Sequence, residues 1–236
     1  MQYIGGKSRI AEQIAPILID QARGGDACFI SLFCGSCAVE SKIRGYSRVI
    51  CNDKHPYLIA MFKALQTGYL PPDSVSEAEY KFVRQNPDLY PALTGFVGFG
   101  CSFGGKFFGG YARNARADNY AARSKRSILK DMPALIGVEF MCADYKTVPI
   151  PENAVVYADP PYADTTGYGG EKFDSAEFWR YARLIAETGH RIYVSEQKAP
   201  EGWTCVWEKP FLRTLDRNKD NQFTVTEKLF TWGRMV

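Results

Sequence analysis

The stretch AVVYADPPYADTTGYGG, Ala154 to Gly170, runs β-branched and aromatic residues into an acid, two consecutive prolines and a tyrosine. Such a run reads as a buried strand stopped by a carboxylate. Proline fixes its own φ and restricts the residue before it, so the backbone is held rigid where the strand ends. A stiff turn accounts for the prolines, but not for an acid and an aromatic set around them. Asp159, Pro160, Pro161 and Tyr162 together read as a clamp for a flat substrate. The carboxylate and a peptide carbonyl are its acceptors, and the tyrosine ring is its stacking surface.

Two further acids close apolar runs: Asp53 in RVICND and Asp144 in GVEFMCAD. Each alone has a plain explanation, because aspartate forms turns and caps helices. On neighbouring parallel strands they would share one crevice with Asp159, since ligands of open α/β sheets bind beyond the carboxyl ends of the strands. Asp53 ends the second strand, where an acid accepts hydrogen bonds from ribose hydroxyls. The turn Phe33-Cys34-Gly35-Ser36-Cys37 presents its backbone to the same place but lacks a full GxGxxG cradle, which points to a nucleoside without a pyrophosphate. Glu196 ends another apolar run nearby, with no role specified by its neighbours.

These residues need a scaffold, and the patterning supplies one. ACFISLF, RVICND, GVEFMCAD, AVVYAD and RIYVSE read as strands. Helical patterns lie between them: Gly35 through Ile43, Pro56 to Leu65 and Ser175 to Thr188. Alternation of this kind predicts an α/β fold with a mostly parallel sheet covered on both faces. The tail, Trp203 to Trp232, predicts an antiparallel hairpin at one sheet edge. At the N-terminus a Gly-Gly-Lys turn precedes an amphipathic helix with Ile10, Ile14, Ile17 and Leu18 on its stripe. Residues Gly68 to Asn119 are rich in proline, glycine and scattered aromatics, which predicts a long irregular insertion.

Composition narrows the field further. The 236 residues suit one domain with a large insertion, and the formal charge of +3 is only mildly basic. No apolar run approaches the ~18 residues of a membrane span, and MQYIGGKSRI lacks the apolar core of a signal peptide. The seven cysteines read as reduced thiols of a cytoplasmic protein. Cys34 and Cys37 form a CxxC, but with no second CxxC and only His55 and His190 as histidines, no metal site is expected.

YIGGK, SLFCGSCAVE, CND, CAD and YADPPY occur in that order along nearly the whole chain. In this order the set resembles the Dam-like (D12 class) site-specific DNA N6-adenine methyltransferases. The resemblance implies a Rossmann-like methyltransferase sheet, S-adenosylmethionine as donor and double-stranded DNA as partner. It implies donor contacts from Tyr3, Gly5, Gly6, Lys7, Phe33, Gly35, Asp53 and Asp144, with Asp159 where donor and target base meet. The catalytic domain would comprise residues 1–67 and 120–236, and the target-recognition insertion residues 68–119, its basic character continuing to about residue 127. Two departures stand out. Ser31 replaces the acid that ends the family's first strand, and Cys37 replaces the second glycine of its turn. The charge near the donor's amino group then falls to Asp159, or the donor binds more weakly.

A base inside a duplex must be flipped out to reach such a clamp, at a cost of a few kcal/mol. The stretch Cys101 to Ser127 offers compensating contacts, because Lys106, Arg113, Arg116, Arg123, Lys125 and Arg126 face a single acid, Asp118, with aromatics between them. The glycine pairs Gly104-Gly105 and Gly109-Gly110 would make it adaptable, and Arg217, Asn218 and Lys219 would add a second loop over DNA. A solitary modification enzyme is favoured over one paired with a restriction endonuclease. Two other readings remain open: an RNA or protein-glutamine methyltransferase, and an inactive DNA-binding protein of the same fold.

Overall fold

In the computed structural model, which describes residues 1–22, 27–114, 116, 118–161, 173–214 and 222–233, the apolar runs pair as a sheet. Strands β1 (Cys28–Ser31), β2 (Arg48–Asn52), β3 (Glu139–Met141), β4 (Val155–Ala158) and β5 (Arg191–Glu196) are parallel to their neighbours. The tail forms the predicted hairpin of β6 (Trp203–Thr214) and β7 (Gln222–Trp232), and β7 joins β5 antiparallel. The complete order is β3-β2-β1-β4-β5-β7-β6. This is a mixed, Rossmann-like α/β sheet.

Strand alternation divides the core into two faces. Ile30, Val156, Ile192 and Val194 point to one side, where helix α6 (Ser175–Glu187) covers them with Phe178, Ala182 and Ile185. Phe29, Val155, Tyr157 and Tyr193 point to the other, beneath helix α1 (Ala11–Ile19) and its Ile14 and Leu18. Strands buried on both faces read as continuous apolar runs, which is why β1 and β4 carry almost no polar residue until their ends. Strand order reverses direction between β1 and β4, leaving a crevice beyond their carboxyl ends.

Two expectations are corrected. The helix predicted from Gly35 through Ile43 is only a 3-10 turn at Glu40–Lys42. Cys37, in the second glycine position of the turn, takes a left-handed φ of 56°, and no α-helix propagates through that conformation.

The segment Gly68 to Asn119 is not irregular throughout, because short helices interrupt its loops. It holds α3 (Glu77–Gln85) and α4 (Pro91–Gly95), the latter continuing as a π-turn over Phe96–Gly100. Helix α5 (Tyr120–Asp131) follows and packs on that turn. Two of its proline and glycine signals mark other things than loops. Pro91 starts a helix, where its missing N–H costs nothing. Gly95 admits the backbone of α2 (Pro56–Gln66): a Cβ there would stand 2.1 Å from the Tyr57 carbonyl oxygen. Phe96, Phe99, Tyr80 and Val83 share a core with Leu58 and Phe62 of α2.

Candidate active site

The carboxyl ends of β1, β2 and β4 open into a cleft of 930 Å³, within the ~300–1,000 Å³ usual for small-molecule sites. Asp159 follows β4 directly and lines it, with buried Pro160 and partly buried Pro161 behind. Tyr162 lies outside the described residues. The Gly-Gly-Lys turn brings Lys7 Nζ to 2.8 Å from Asp159 Oδ1 and 3.7 Å from Glu227 Oε2. Lys7 also donates to the Gly5 carbonyl at 3.3 Å. Burial pushes the Asp159 carboxyl up from its ordinary value, Lys7 opposes that shift, and the charge of Glu227 adds to it.

Asp53 clasps the site's floor. Its carboxylate accepts from the Gly35 N–H at 3.0 Å and the His55 N–H at 2.9 Å, tying the turn after β1 to the end of β2. Burial raises its pKa to about 6 against those two bonds. Beside it the Asn52 amide donates to the Leu32 and Ala143 carbonyls at 3.0 and 3.1 Å, so three strand ends are held in register. Asp144 both lines the cleft and caps a turn, accepting from the Lys146 N–H at 3.0 Å.

The walls are apolar. Phe33 meets Tyr145 at 5.3 Å and Phe178 at 5.8 Å between ring centroids. Tyr3 lies over Gly35, where a Cβ would be 2.9 Å from its ring. Its backbone abuts Gly105, which takes φ +69° and could not carry a Cβ without meeting Tyr3 N and Cα at 2.6 Å. The segment carrying the first glycine pair is therefore pinned to the N-terminus, and the Ile4 N–H donates to the Gly105 carbonyl at 3.2 Å. Sequence alone predicted an adaptable stretch there.

The basic residues separate into two groups. Lys106 lines the cleft mouth beside Phe107, whose ring centroid is 4.2 Å from that of His55. Burial lowers His55 to about 4, so it is a neutral part of this aromatic nest. Arg113 meets Glu77 at 2.9 Å, Arg123 meets Asp118 at 3.6 Å, and Lys125 meets Asp73 at 2.8 Å. The fold thus brings two acids, Asp73 and Glu77, to a stretch that carries only Asp118 itself. The exposed Arg113 and Arg123 pairs are worth under about 1 kcal/mol each. Arg116 and Arg126 are exposed. Arg217, Asn218 and Lys219 lie outside the described residues.

Three buried acids near Asp159 escaped the motif reading or carried no role. Glu40 accepts a 2.6 Å bond from the Ser31 hydroxyl and lines the cleft. Its pKa is raised to about 7, first by burial and then by the charge of Asp159. Glu227 shares the inward face of β7 with Val225 and Leu229, all three buried. An acid at an apolar parity was its sequence signal. Glu196 ends β5 buried, accepts from the Gln197 N–H at 2.7 Å and is raised to about 7 by burial.

Residues 3–94 match the D12 class N6 adenine-specific DNA methyltransferase family. The matched part contains the Gly-Gly-Lys turn, Ser31 to Glu40 and Asp53, and ends before Asp159. No curated protein matches the sequence. Among solved structures, the chain is similar to the rRNA methyltransferase aviRa from Streptomyces viridochromogenes, at 14% identity, 98% coverage of this chain, 86% of that one and a TM-score of 0.45. It is also similar to magnesium protoporphyrin IX methyltransferase (ChlM) from Synechocystis PCC 6803 with bound SAM, at 10% identity, 96% and 79% coverage and a TM-score of 0.38. The family match points to methyl transfer, a chemistry for which S-adenosylmethionine is the implied donor.

The donor set of the cleft suits that molecule. Apolar walls at Phe33 and Tyr3, a strand-end acid at Asp53 and a surplus of carboxylates fit a nucleoside that carries positive charge. Among the described residues no group of His, Cys, Asp and Glu has the arrangement of a metal site. Cys34 and Cys37 are buried thiols whose pKa burial pushes up. Among the described residues no helix is long and apolar enough to cross a membrane.

Proposed function

We propose that the protein is a site-specific DNA adenine N6-methyltransferase, acting on an adenine flipped from duplex DNA. The observation that carries this reading is Asp159-Pro160 at the end of β4, set in the wall of a nucleoside-sized cleft with Lys7 at 2.8 Å. The match of residues 3–94 to the D12 class family supports adenine as the base.

Adenine's exocyclic nitrogen is a poor nucleophile because its lone pair is delocalised into the ring. Acceptors aimed at its hydrogens favour a pyramidal nitrogen with that pair available. Asp159 supplies one acceptor and the Pro160 carbonyl the other, on a backbone whose φ the prolines fix. Lys7 opposes the effect of burial on Asp159 and so favours its ionised, accepting form. Tyr162 would be the aromatic that stacks on the base. S-adenosylmethionine, when bound, supplies a sulfonium methyl group for direct in-line transfer. Tyr3, Gly5, Gly6, Phe33, Gly35, Asp53 and Asp144 would hold it. Catalysis then rests on placement and on preorganised charge. Lys106 and the arginines of the following stretch neutralise phosphates while the base is out of the stack.

The test is transfer of a labelled methyl group to unmethylated duplex DNA, RNA and protein offered in parallel. Label in duplex DNA, lost in Asp159→Ala with donor binding retained, supports the assignment. Label that persists in Asp159→Ala, or that enters only RNA or protein, overturns it.

A further inference from the structure

The cleft holds more acids than its visible cations answer, and Glu40 is more buried than Asp53 or Asp159. Asp159 faces Lys7 at 2.8 Å. Asp53 accepts two backbone N–H groups. Asp144 accepts a backbone N–H, and Glu177 faces Lys146 at 2.9 Å. Glu40, only 3% exposed, has the neutral Ser31 hydroxyl as its side-chain partner at 2.6 Å, with the backbone of Glu40 and Val39 also favouring its charge, and among the described residues no ion pair reaches it. A carboxyl buried without a cation is costly unless something answers it. Its place in the cleft wall says where the answer comes from.

We propose that Glu40, oriented by Ser31, is the acceptor for the α-ammonium group of the methyl donor. The inference rests on reading the cleft as an S-adenosylmethionine site. The geometry explains both substitutions in the turn after β1. Ser31 occupies the strand end without a charge of its own, and its hydroxyl holds the carboxylate of Glu40 beside that end. Cys37, with φ 56°, turns the chain so that the 3-10 helix Glu40–Lys42 begins where its first residue can reach back. Glu40 stands nine positions along the chain from Ser31 yet beside it in space. Glu40 is therefore a binding residue and Ser31 a positioning residue.

The experiment is a set of calorimetric titrations with S-adenosylhomocysteine and with its deamino analogue, which keeps the nucleoside, thioether and carboxylate but has no amine. Wild type, Glu40→Gln and Ser31→Ala are compared, with thermal unfolding run on each. Glu40→Gln should weaken S-adenosylhomocysteine by about 10- to 100-fold, as expected for a charge-assisted hydrogen bond. It should change the analogue by less than about 2-fold. Ser31→Ala should show a smaller loss with the same selectivity, which keeps the test decisive if the first variant folds poorly. Equal losses for both ligands, or none for either, overturn the role of Glu40 while leaving the donor site standing. A wild-type protein that binds neither ligand overturns the donor reading and this inference together.

Discussion

Glu40→Gln should make the unliganded protein more stable at pH 8 and leave it nearly unchanged at pH 5. The Glu40 carboxyl is raised from its ordinary 4.5 to about 7 in the folded chain, chiefly by burial. Between those values the folded protein keeps a proton that the unfolded chain has released. Stability therefore falls as pH rises through that window and is fully present only below it. At about 1.4 kcal/mol per pKa unit, the ionised carboxyl costs about 3 kcal/mol at pH 8. The glutamine avoids this cost, although its extra buried donor subtracts about 1 kcal/mol. A net gain of about 2 kcal/mol corresponds to about 4–8 °C in a domain of this size. Calorimetric or fluorescence melting at the two pH values reads it directly. An equal shift at both values, or destabilisation at pH 8, would refute the claim that a costly buried charge sits at this position. The cost itself makes functional sense, since sites that await a ligand are held against stability.

Other perturbations follow from the same geometry. Lys7→Met removes the cation beside Asp159 and Glu227; the Asp159 pKa should rise further, moving the rising limb of the pH–rate profile to higher pH. Above that pKa the variant should lose about 3–5 kcal/mol in urea unfolding, the usual cost of a buried pair left half-made. Gly105→Ala combines a φ of +69° with a Cβ 2.6 Å from the Tyr3 backbone, and should cost more than about 1–3 kcal/mol while displacing Tyr3 from the cleft. Lys106→Ala should weaken duplex binding uniformly across sequences and reduce the slope of log K against log salt by about 1, measured by fluorescence anisotropy.

Much of this site was legible because polarity changes abruptly at strand ends. Asp53 and Asp159 each stop a run of buried residues, so their place in the crevice followed from strand alternation alone. The hairpin at the sheet edge was legible for the same reason, as two long runs without helical periodicity between them. Glu40 was not, because its approach to Ser31 depends on a left-handed cysteine that ends a helical pattern early. Local propensity predicted a helix there, and the packing of a fully buried Cys37 prevailed. Composition hid the short helices of the insertion: Pro91 starts one of them, and Gly95 and Gly105 admit neighbouring backbone, so at these positions residues that usually signal loops signal close packing. The pairing of Arg113 and Lys125 with acids outside their own stretch required the fold to be seen.

The most direct test of the central claim is to methylate adenine-containing duplex DNA with a deuterated donor and digest it to nucleosides for mass analysis. The account predicts a single labelled product, N6-methyladenosine in its deoxy form, formed by the wild type and absent with Asp159→Ala. A deuterated methyl group on cytosine, or undiminished N6 labelling by Asp159→Ala, would contradict it.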